Sequence, residues 1–482
     1  MSKTIIIIGA GLAGLSAALQ AAENGCNVKL VSSLPSERAQ SVMAEGGINA
    51  ALNTKDENDS PEEHFTDTIK AACGLADPNA VWGMTQAAPE LVHWLLKLGV
   101  KFNMSGYDDV DLRNFGGQKK KRTAFAQSDT GKQIMTAMID AVRRKEASGM
   151  VERFSHHSFL TLRLCGNICC GCVIRDEYSQ ETVELPGDAV IVATGGMHGL
   201  FGNTTGSLSN TGEVTAELFR LGVPLANGEM IQYHPTTVKC GGKRMLISEA
   251  ARGEGGRLFA MKDGKQWYFM EEKYPELGNL MPRDITAREI WKVSHESEVF
   301  LDMTEISEEI ISNKLSGLVD DCMTYLHKDI RKEPVSVLPG IHYFMGGILV
   351  DEQHRTPIQN LCAAGECCAQ YHGANRLGGN SLLGALYGGR VAAKSACEQA
   401  DVVDLSCATQ IDFPPASQIS EIKQLNKVMQ ETMGVVRNEN TLLNGIQTVQ
   451  ALTGNLPLLG MAVLKSALAR KESRGAHWRE DY

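Results

Sequence analysis

The start of the chain orders its apolar and small residues as a strand, a turn, a helix and a second strand. Ile5 to Ile8 form an uninterrupted β-branched run, which predicts a parallel strand covered on both faces. An Ala- and Leu-rich segment follows and predicts a helix that ends near Gly25. Val28 to Val31 form the second predicted strand. The pattern therefore predicts a β-α-β unit of an α/β fold.

Glycines occupy the turn between the first strand and the helix. Gly9, Gly11 and Gly14 give the pattern G-x-G-x-x-G, in which the glycines permit the turn, the approach of a pyrophosphate and the packing of helix on strand. The acidic residue expected after the second strand is absent, and Ser32 and Ser33 stand there. The turn predicts a dinucleotide site with the Ser32 hydroxyl as a candidate ribose ligand. It leaves NAD and FAD both open.

A second glycine-rich segment, QSVMAEGGIN at residues 40–49, has no regular helix or strand period. Its glycine pair lies too far along the chain to hold the pyrophosphate. A nicotinamide site needs no such pair, whereas glycine amides can reach the edge of a large, flat isoalloxazine ring without side chains in the way. The segment therefore favours FAD. The candidate cofactor contacts here are Ser41, Ala44, Glu45, Gly46 and Gly47.

Later patterns extend the α/β arrangement. DAVIVATGG at residues 188–196 predicts a buried strand and a turn. TDTIKAACG and GKQIMTAMIDAVRR have the period of amphipathic helices. The stretch from about residue 230 to 339 mixes a strand-like GRLFAM with a helical SEEIISNKLSGLV, and the tail is polar with a helical pattern.

Composition narrows the class of protein. The 482 residues are 43% hydrophobic and 22% charged, as in soluble globular proteins, and the net charge of −10 argues against nucleic acid as a partner. The basic run KKKR at residues 119–122 predicts a solvated loop. No stretch has the length of a membrane span, and the N-terminal apolar run is too short for a signal peptide. We expect a cytoplasmic protein, or one held at the inner face of a membrane by a partner.

Two cysteine clusters, CCGC and CAAGECC, lack the spacing of zinc, iron–sulfur or haem sites. We interpret them as buried small hydrophobic residues and expect no metal site. Electrons would then need a carrier outside this chain.

The chain resembles the flavoprotein subunits of fumarate reductase and succinate dehydrogenase. The motifs that carry the resemblance are MAEGGINAAL, HFTDTIKAA, VIVATGG, IQYHPTTV, LISEAARGEGGRLF, PRDITAREI, GIHYFMGGILVD, AAGECC, HGANRLGGNSLLGALYGGR and KESRGAHWRED. They span nearly the whole chain in the same order. The resemblance implies a Rossmann-like FAD-binding domain at residues 1–228 and 340–416. It also implies an inserted α+β capping domain at 229–339 and a C-terminal helical domain at 417–482.

In covalently flavinylated members of this family a histidine precedes the E-G-G segment by five positions. That position here is Gln40, counted back from Glu45. Glutamine cannot form a histidyl link to the flavin. We therefore predict FAD that is bound without a covalent bond.

Fumarate carries two carboxylates, and the resemblance implies ligands for both. At one end it implies His234 and Ser248, where the family usually has threonine; serine keeps the hydroxyl. At the other end it implies His342 and Arg376, whose guanidinium can hold a carboxylate in a bidentate fork. The further FAD contacts that it implies are Gly195, Glu366, Arg376, Ser381 and Leu382.

Reduction needs a hydride, implied to come from N5 of reduced FAD, and a proton, implied to come from Arg283. Arginine is a weak acid, but a developing carbanion beside a carboxylate is a far stronger base than water. Glu249 and Arg252 are three residues apart and would share a helix face as a proton relay. A plain surface ion pair is the alternative for these two.

The favoured function is the reduction of fumarate to succinate by an FAD-dependent oxidoreductase. Reduction of another 2-enoate and oxidation of L-aspartate are the alternatives among enzymes. An electron-transfer subunit with an inactive site is the alternative outside enzymes. Each reductase function requires a separate electron donor, such as an iron–sulfur subunit or a diffusible reductant.

Overall fold

The protein was analysed as a computed structural model, which describes residues 2–107, 109–399, 413 and 418–482. Its strands are β1 (Thr4–Ile8), β2 (Asn27–Ser32), β3 (Ile48–Asn49), β4 (Leu112–Arg113), β5 (Thr123–Ala124), β6 (Val151–Ser155), β7 (His157–Cys165), β8 (Ile168–Asp176), β9 (Thr182–Pro186), β10 (Ala189–Val192), β11 (Leu225–Ala226), β12 (Ile231–Cys240), β13 (Lys243–Leu246), β14 (Arg257–Lys262), β15 (Lys265–Trp267), β16 (Val299–Asp302), β17 (Val335–Ser336), β18 (Leu338–Phe344), β19 (Gly347–Leu349), β20 (Leu361–Ala363) and β21 (Cys368–Ala369).

The helices are α1 (Leu12–Glu23), α2 (Pro61–Ala71), α3 (Pro78–Leu98), α4 (Thr130–Ala147), α5 (Glu213–Arg220), α6 (Glu249–Gly253), α7 (Phe269–Lys273), α8 (Arg283–Val293), α9 (Glu308–Ile310), α10 (Ser316–Asp321), α11 (Asn380–Gln399), α12 (Ile419–Thr432), α13 (Glu439–Val449) and α14 (Asn455–Ala469). Two π-helical turns, Ile311–Leu315 and Cys322–Leu326, continue the helical path around α10.

A parallel sheet forms the centre of the fold, with strand order β20-β10-β1-β2-β6. The predicted strands at β1 and β2 are confirmed, and the predicted helix between them is α1. Helices α1, α4 and α11 pack on one face of the sheet. The antiparallel sheet β7-β8-β9 packs on the other face, so β1 is buried on both sides, as its apolar run requires.

The segment predicted to cap the cofactor mixes strands and helices. It contains the sheet β15-β14-β16-β17 and helices α6 to α10, which share one hydrophobic core. A second sheet, β13-β12-β18, joins it to the rest of the chain. The predicted domain boundary between residues 339 and 340 falls inside strand β18, which pairs with β12 along its length.

The C-terminal part is helical, as predicted. Helices α12, α13 and α14 form a core with Leu200, Phe201 and Phe344 of the preceding chain. The predicted start of this part at residue 417 lies outside the described residues. Among the described residues, no helix is both long and apolar enough to cross a bilayer.

The basic run at residues 119–122 departs from the predicted solvated loop at its last residue. Arg122 is fully buried, and its guanidinium pairs with Asp59 at 2.8 Å and with Asp67 at 3.0 Å. The prediction was wrong for Arg122 because its two acidic partners lie more than fifty residues earlier in the chain. The cysteines of CCGC and CAAGECC are buried, as predicted.

Candidate active site

The turn between β1 and α1 is shaped by two glycines that tolerate no side chain. A Cβ at Gly9, where φ is +111°, would lie 2.2 Å from the carbonyl oxygen of Ala193. A Cβ at Gly14 would lie 1.8 Å from the carbonyl oxygen of Gly9. Gly11 precedes α1 and supplies no side-chain cap. The N-terminus of α1 therefore presents backbone donors where a phosphate can approach.

A cavity of about 680 Å³ extends from this turn to the capping segment. Its wall contains every predicted site residue except Gly14 and Arg252. Gly14 lies behind the wall because it packs α1 against the turn. Arg252 lies behind Glu249, with which it pairs. The fold thus brings segments between Ile8 and Ala385 to one cavity.

The nucleotide half of the wall contains buried polar groups that have no hydrogen-bond partner in the described part of the protein. The Ser32 hydroxyl and Oε2 of Glu45 are enclosed and have no hydrogen-bond partner within the described residues. Burial raises the pKa of Glu45 to about 8, and burial also raises the pKa of Glu366 to about 7. Glu366 accepts the N–H of Phe344 at 3.1 Å. Carboxyl and hydroxyl groups of this kind suit the diols and ring edges of a nucleotide cofactor.

The flavin-sized part of the wall is made of backbone. Gly47 has φ +136°, and a Cβ there would lie 2.5 Å from the Thr123 side chain and the Ala124 carbonyl oxygen. Helix α11 begins at Asn380, so the amides of Ser381 and Leu382 lie in its first turn, where they lack partners within the helix. These backbone groups can contact the flavin ring of FAD, for which the sequence predicts Gly47, Ser381 and Leu382 as contacts. The positive N-terminal end of α11 favours negative charge on a bound ligand.

At the opposite end of the cavity, Arg283 and Glu249 form a buried ion pair. Nε and Nη2 of Arg283 donate to Oε2 of Glu249 at 2.8 Å and 2.6 Å. Oε1 of Glu249 accepts the N–H of Gly116 and lies 3.4 Å from Nη2 of Arg252. Glu249 and Arg252 are each only 2% exposed, so the alternative of a surface ion pair was wrong.

The negative charge of Glu249 is stabilised by the two arginines of this cluster. Burial alone would raise the pKa of Glu249, but the positive charges of Arg283 and Arg252 outweigh it and hold that pKa below its ordinary value. Burial lowers the pKa of Arg252. Arg252 also donates to the carbonyl oxygen of Asn279 at 2.6 Å. Glu249 therefore stays ionised between its two arginines.

Arg376 is a buried cation without a carboxylate partner among the described residues. Its guanidinium lies 4.3 Å from the centre of the Tyr343 ring, and its Nε has no hydrogen-bond partner. Burial, together with the charge of Arg283, lowers the pKa of Arg376 to about 9. A buried guanidinium in this state is stabilised by any anion that enters the cavity.

Two imidazoles, His234 and His342, stand edge to face with 5.1 Å between ring centres. Burial and the charge of Arg283 hold the pKa of both well below the ordinary value, so both are neutral near pH 7. Nε2 of His234 is buried and has no hydrogen-bond partner in the described chain. A neutral ring carries one N–H. Nδ1 of His234 lies 3.1 Å from the carbonyl oxygen of Thr236 and 3.3 Å from its backbone nitrogen, so Nε2 of His234 is a donor only in the tautomer in which Nδ1 accepts the Thr236 N–H.

Sequence reasoning missed Gln232, which links the two cavity arginines. Its Oε1 accepts Nη1 of Arg283 at 3.2 Å, and its Nε2 donates to the carbonyl oxygen of Arg376 at 2.7 Å. Gln232 lies two residues before His234 on β12, a spacing at which side chains share one face of a strand. That spacing was the available signal. Ser248, before α6, accepts the N–H of Ala250 at 3.4 Å and lines the cavity.

Comparison with known proteins finds two matching family models and similar proteins along the whole chain. Residues 4–382 match the FAD binding domain family, and residues 453–482 match the C-terminal family of fumarate reductase flavoproteins. The chain is 38% identical to a succinate dehydrogenase flavoprotein subunit of Bacillus subtilis, covering 100% of this chain and 91% of that protein. It is 35% identical to an L-aspartate oxidase of Caulobacter vibrioides, covering 99% and 93%.

Among solved structures, a mutant FrdA of E. coli quinol fumarate reductase superposes with a TM-score of 0.90. The two chains are 28% identical, and the match covers 100% of this chain and 91% of FrdA. Two domains of the predicted fold, the FAD-binding domain and the helical C-terminal part, are therefore those of this group of flavoproteins.

Proposed function

The chain belongs to the flavoprotein family of fumarate reductases and succinate dehydrogenases, and we propose that it reduces fumarate to succinate with non-covalently bound FAD. The family makes it an FAD-dependent oxidoreductase. The observation that carries the finer proposal is the unpaired, buried guanidinium of Arg376, which shares one cavity with the Arg283–Glu249 pair and two neutral imidazoles. Such a wall suits a small anion with more than one carboxylate.

In the proposed complex, one carboxylate of fumarate meets Arg376 and the N–H of His342, and the other meets the N–H of His234 and the hydroxyl of Ser248. Arg376 supplies a fork of donors, which holds the carboxylate in one plane. The neutral histidines add donors without adding charge. Four contacts from separate segments orient the double bond and exclude water from it.

FAD, when bound along the glycine-rich wall and reduced by an outside electron donor, would supply the hydride for one alkene carbon. The residues that would hold it are the amides at Gly9, Gly11 and Gly47, the first turn of α11, and Glu366. Arg283 supplies the proton to the other alkene carbon and places positive charge where negative charge develops. One hydride and one proton convert fumarate to succinate, and the two electrons of the hydride come from the donor that reduces the flavin.

Glu249 returns the proton to Arg283. Its Oε2 lies 2.6 Å from Nη2 of Arg283, and its Oε1 faces Arg252. A carboxylate between two guanidinium groups can take a proton from one and pass it to the other. Arg252 is buried behind Glu249, so in this proposal it is the group that reprotonates the carboxylate.

Binding of FAD without a covalent bond follows from Gln40. This residue lines the cavity, and its carboxamide cannot bond to the flavin as a histidine can. An 8α-histidyl substituent withdraws electrons and raises the flavin potential. A flavin without it should favour reduction of fumarate over oxidation of succinate.

L-Aspartate oxidation is the second candidate, because a relative with this activity in its name is 35% identical over nearly the whole chain. Aspartate would use the same two carboxylate positions. Reduction of a different 2-enoate is the third. Activity with L-aspartate and oxygen, without activity on fumarate, would favour the oxidase.

We also propose that the electrons come from a separate protein, such as an iron–sulfur subunit. Within the described residues, no group of His, Cys, Asp and Glu is arranged to hold a metal ion. Relatives with the words flavoprotein subunit in their names support a place in a larger assembly. We propose a cytoplasmic location, at a membrane only through such partners.

The test is an assay of the purified, FAD-loaded chain with reduced viologen and a panel of enoates. Fumarate should be reduced faster than acrylate or crotonate, which have one carboxylate. Equal rates for mono- and dicarboxylates would contradict the assignment of two carboxylate-binding ends. Parallel assays with L-aspartate and oxygen, and with succinate and an oxidising dye, separate the remaining functions.

A further inference from the structure

Residues 204–207, here called the strap, cross the cavity wall and bond to three separate segments. The contacts are the N–H of Arg244 donating to the carbonyl oxygen of Thr204 (3.3 Å), the N–H of Thr205 donating to the carbonyl oxygen of Ile341 (3.0 Å), and the N–H of Ser207 donating to Oε1 of Gln40 (2.6 Å). One contact is to the capping segment, one to β18 and one to the glycine-rich segment. The strap is therefore fixed relative to both halves of the cavity.

His198 supports the strap from behind. Its Nδ1 lies 3.0 Å from the hydroxyl oxygen of Thr204, and the ring is fully buried. A Cβ at Gly206 would lie 2.2 Å from the His198 ring, so glycine lets the strap lie directly on the imidazole. The close packing leaves the strap little freedom to shift.

The strap places the hydroxyl of Thr205 2.8 Å from Nδ1 of His342. In a neutral imidazole, the hydrogen bond made by one nitrogen decides which nitrogen carries the proton. A hydroxyl that donates to Nδ1 leaves the proton on Nε2, the nitrogen of His342 that makes no hydrogen bond to the described residues. A proton on Nε2 turns His342 into a donor toward the cavity.

We infer that Thr205 is a positioning residue: it fixes His342 as the Nε2–H tautomer, so that this ring donates to a carboxylate rather than repelling it. The inference rests on the proposed function for the role of that carboxylate. The opposite tautomer would present a lone pair to the ligand, next to Arg376, and lose one donor. Gln40 supports this arrangement indirectly, because its side chain accepts the N–H of Ser207 and so holds the strap in place.

The first measurement is the tautomer itself and needs no substrate. In protein labelled with ¹⁵N in the histidine rings, the His342 signals are identified by their loss in His342→Gln. The wild type should show a neutral ring protonated at Nε2, and Thr205→Val should show a mixture of tautomers. Protonation at Nδ1 in the wild type, or the same tautomer in Thr205→Val, would overturn the inference.

The second measurement is steady-state reduction of fumarate. Thr205→Val keeps the shape of the side chain and removes the hydroxyl, so KM should rise about tenfold or more with a smaller change in kcat. Thr205→Ser restores the hydroxyl and should restore KM to within about threefold. Thr136→Val removes a hydroxyl that donates to a backbone carbonyl on the exposed side of helix α4, and it should leave KM unchanged.

The outcomes separate the two proposals. If the wild type is active and Thr205→Val leaves KM unchanged, the role of Thr205 is refuted and the proposed function is not affected. A wild type that neither reduces fumarate nor binds succinate would refute the proposed function, and the tautomer measurement would then decide the inference by itself.

Discussion

Replacement of Arg283 by lysine tests whether this residue donates the proton or only holds a carboxylate. The guanidinium makes two hydrogen bonds to Glu249, at 2.8 Å and 2.6 Å, and a third to Gln232 at 3.2 Å. A lysine ammonium is a single nitrogen on a differently shaped side chain. It cannot contact Glu249 and Gln232 at the same time, as the guanidinium fork of Arg283 does. The donor would move from the position that the wild type fixes.

The expected loss is large and falls on kcat. A displacement of about 1 Å in a catalytic group costs on the order of 100-fold in rate. We therefore expect Arg283→Lys to lower kcat by about 100-fold or more, while KM changes by less than about fivefold, because the positive charge is retained. Assays with reduced viologen and fumarate give both constants, and the FAD content should equal that of the wild type.

Two further variants act as controls. Arg288→Lys changes the same residue type on the same helix, but Arg288 bonds to Asp284 and to the carbonyl oxygen of Gly475 outside the cavity, so kcat should stay unchanged. Arg376→Lys should raise KM as well as lower kcat, because in the proposed complex the guanidinium fork of Arg376 holds a carboxylate of the substrate. If Arg283→Lys kept kcat within a few-fold of the wild type, the acid would lie elsewhere, with His234 or His342 next in line.

Four other outcomes follow from the same structure. Because Gln40 replaces a linking histidine, acid precipitation should leave the yellow flavin in the supernatant; flavin retained on the denatured chain would contradict this. Without the covalent substituent, fumarate reduction should be faster than succinate oxidation with artificial dyes, and each shift of about 30 mV in the two-electron potential is worth about 1.4 kcal/mol. Burial raises the pKa of Glu366 from an ordinary 4.5 to about 7 in the folded protein. Without FAD, the folded state is therefore favoured at low pH, where this carboxyl is protonated. That stability should be lost as pH rises from about 4.5 to 7, by about 3 kcal/mol, in urea titrations, and Glu366→Gln should flatten the profile. Arg122→Met should lower the free energy of unfolding by about 3–5 kcal/mol, because it leaves the buried carboxylates of Asp59 and Asp67 without their cation; a loss under about 1 kcal/mol would refute that reasoning.

Features set by local spacing could be predicted from the sequence. Gly9 and Gly14 sit where a side chain would collide with backbone, and this requirement belongs to the turn itself. Glu249 and Arg252 meet because three residues on a helical turn bring them to one face. Both conclusions needed only a few neighbouring residues.

Features set by distant partners could not be predicted. Arg122 reads as part of a basic surface run, and only the fold shows that Asp59 and Asp67 bury it. Thr205 sits in a run of small polar residues that has no period, so nothing in the sequence connects it with His342, 137 residues later. Long-range hydrogen bonds of this kind leave no pattern in either segment.

The charge balance of the cavity bears on the choice of substrate. The fixed charges at its buried end are the guanidinium groups of Arg252, Arg283 and Arg376 and the carboxylate of Glu249. Both imidazoles are neutral, so three guanidinium charges against one carboxylate leave these groups with a net charge of +2, although the whole chain carries −10. Uncompensated buried charge is costly, and its cost falls as an anion of matching charge enters. A dianionic enoate neutralises both charges, a monocarboxylate leaves one, and aspartate brings an ammonium into a field that is already positive. The balance therefore favours an unsaturated dicarboxylate without an amine.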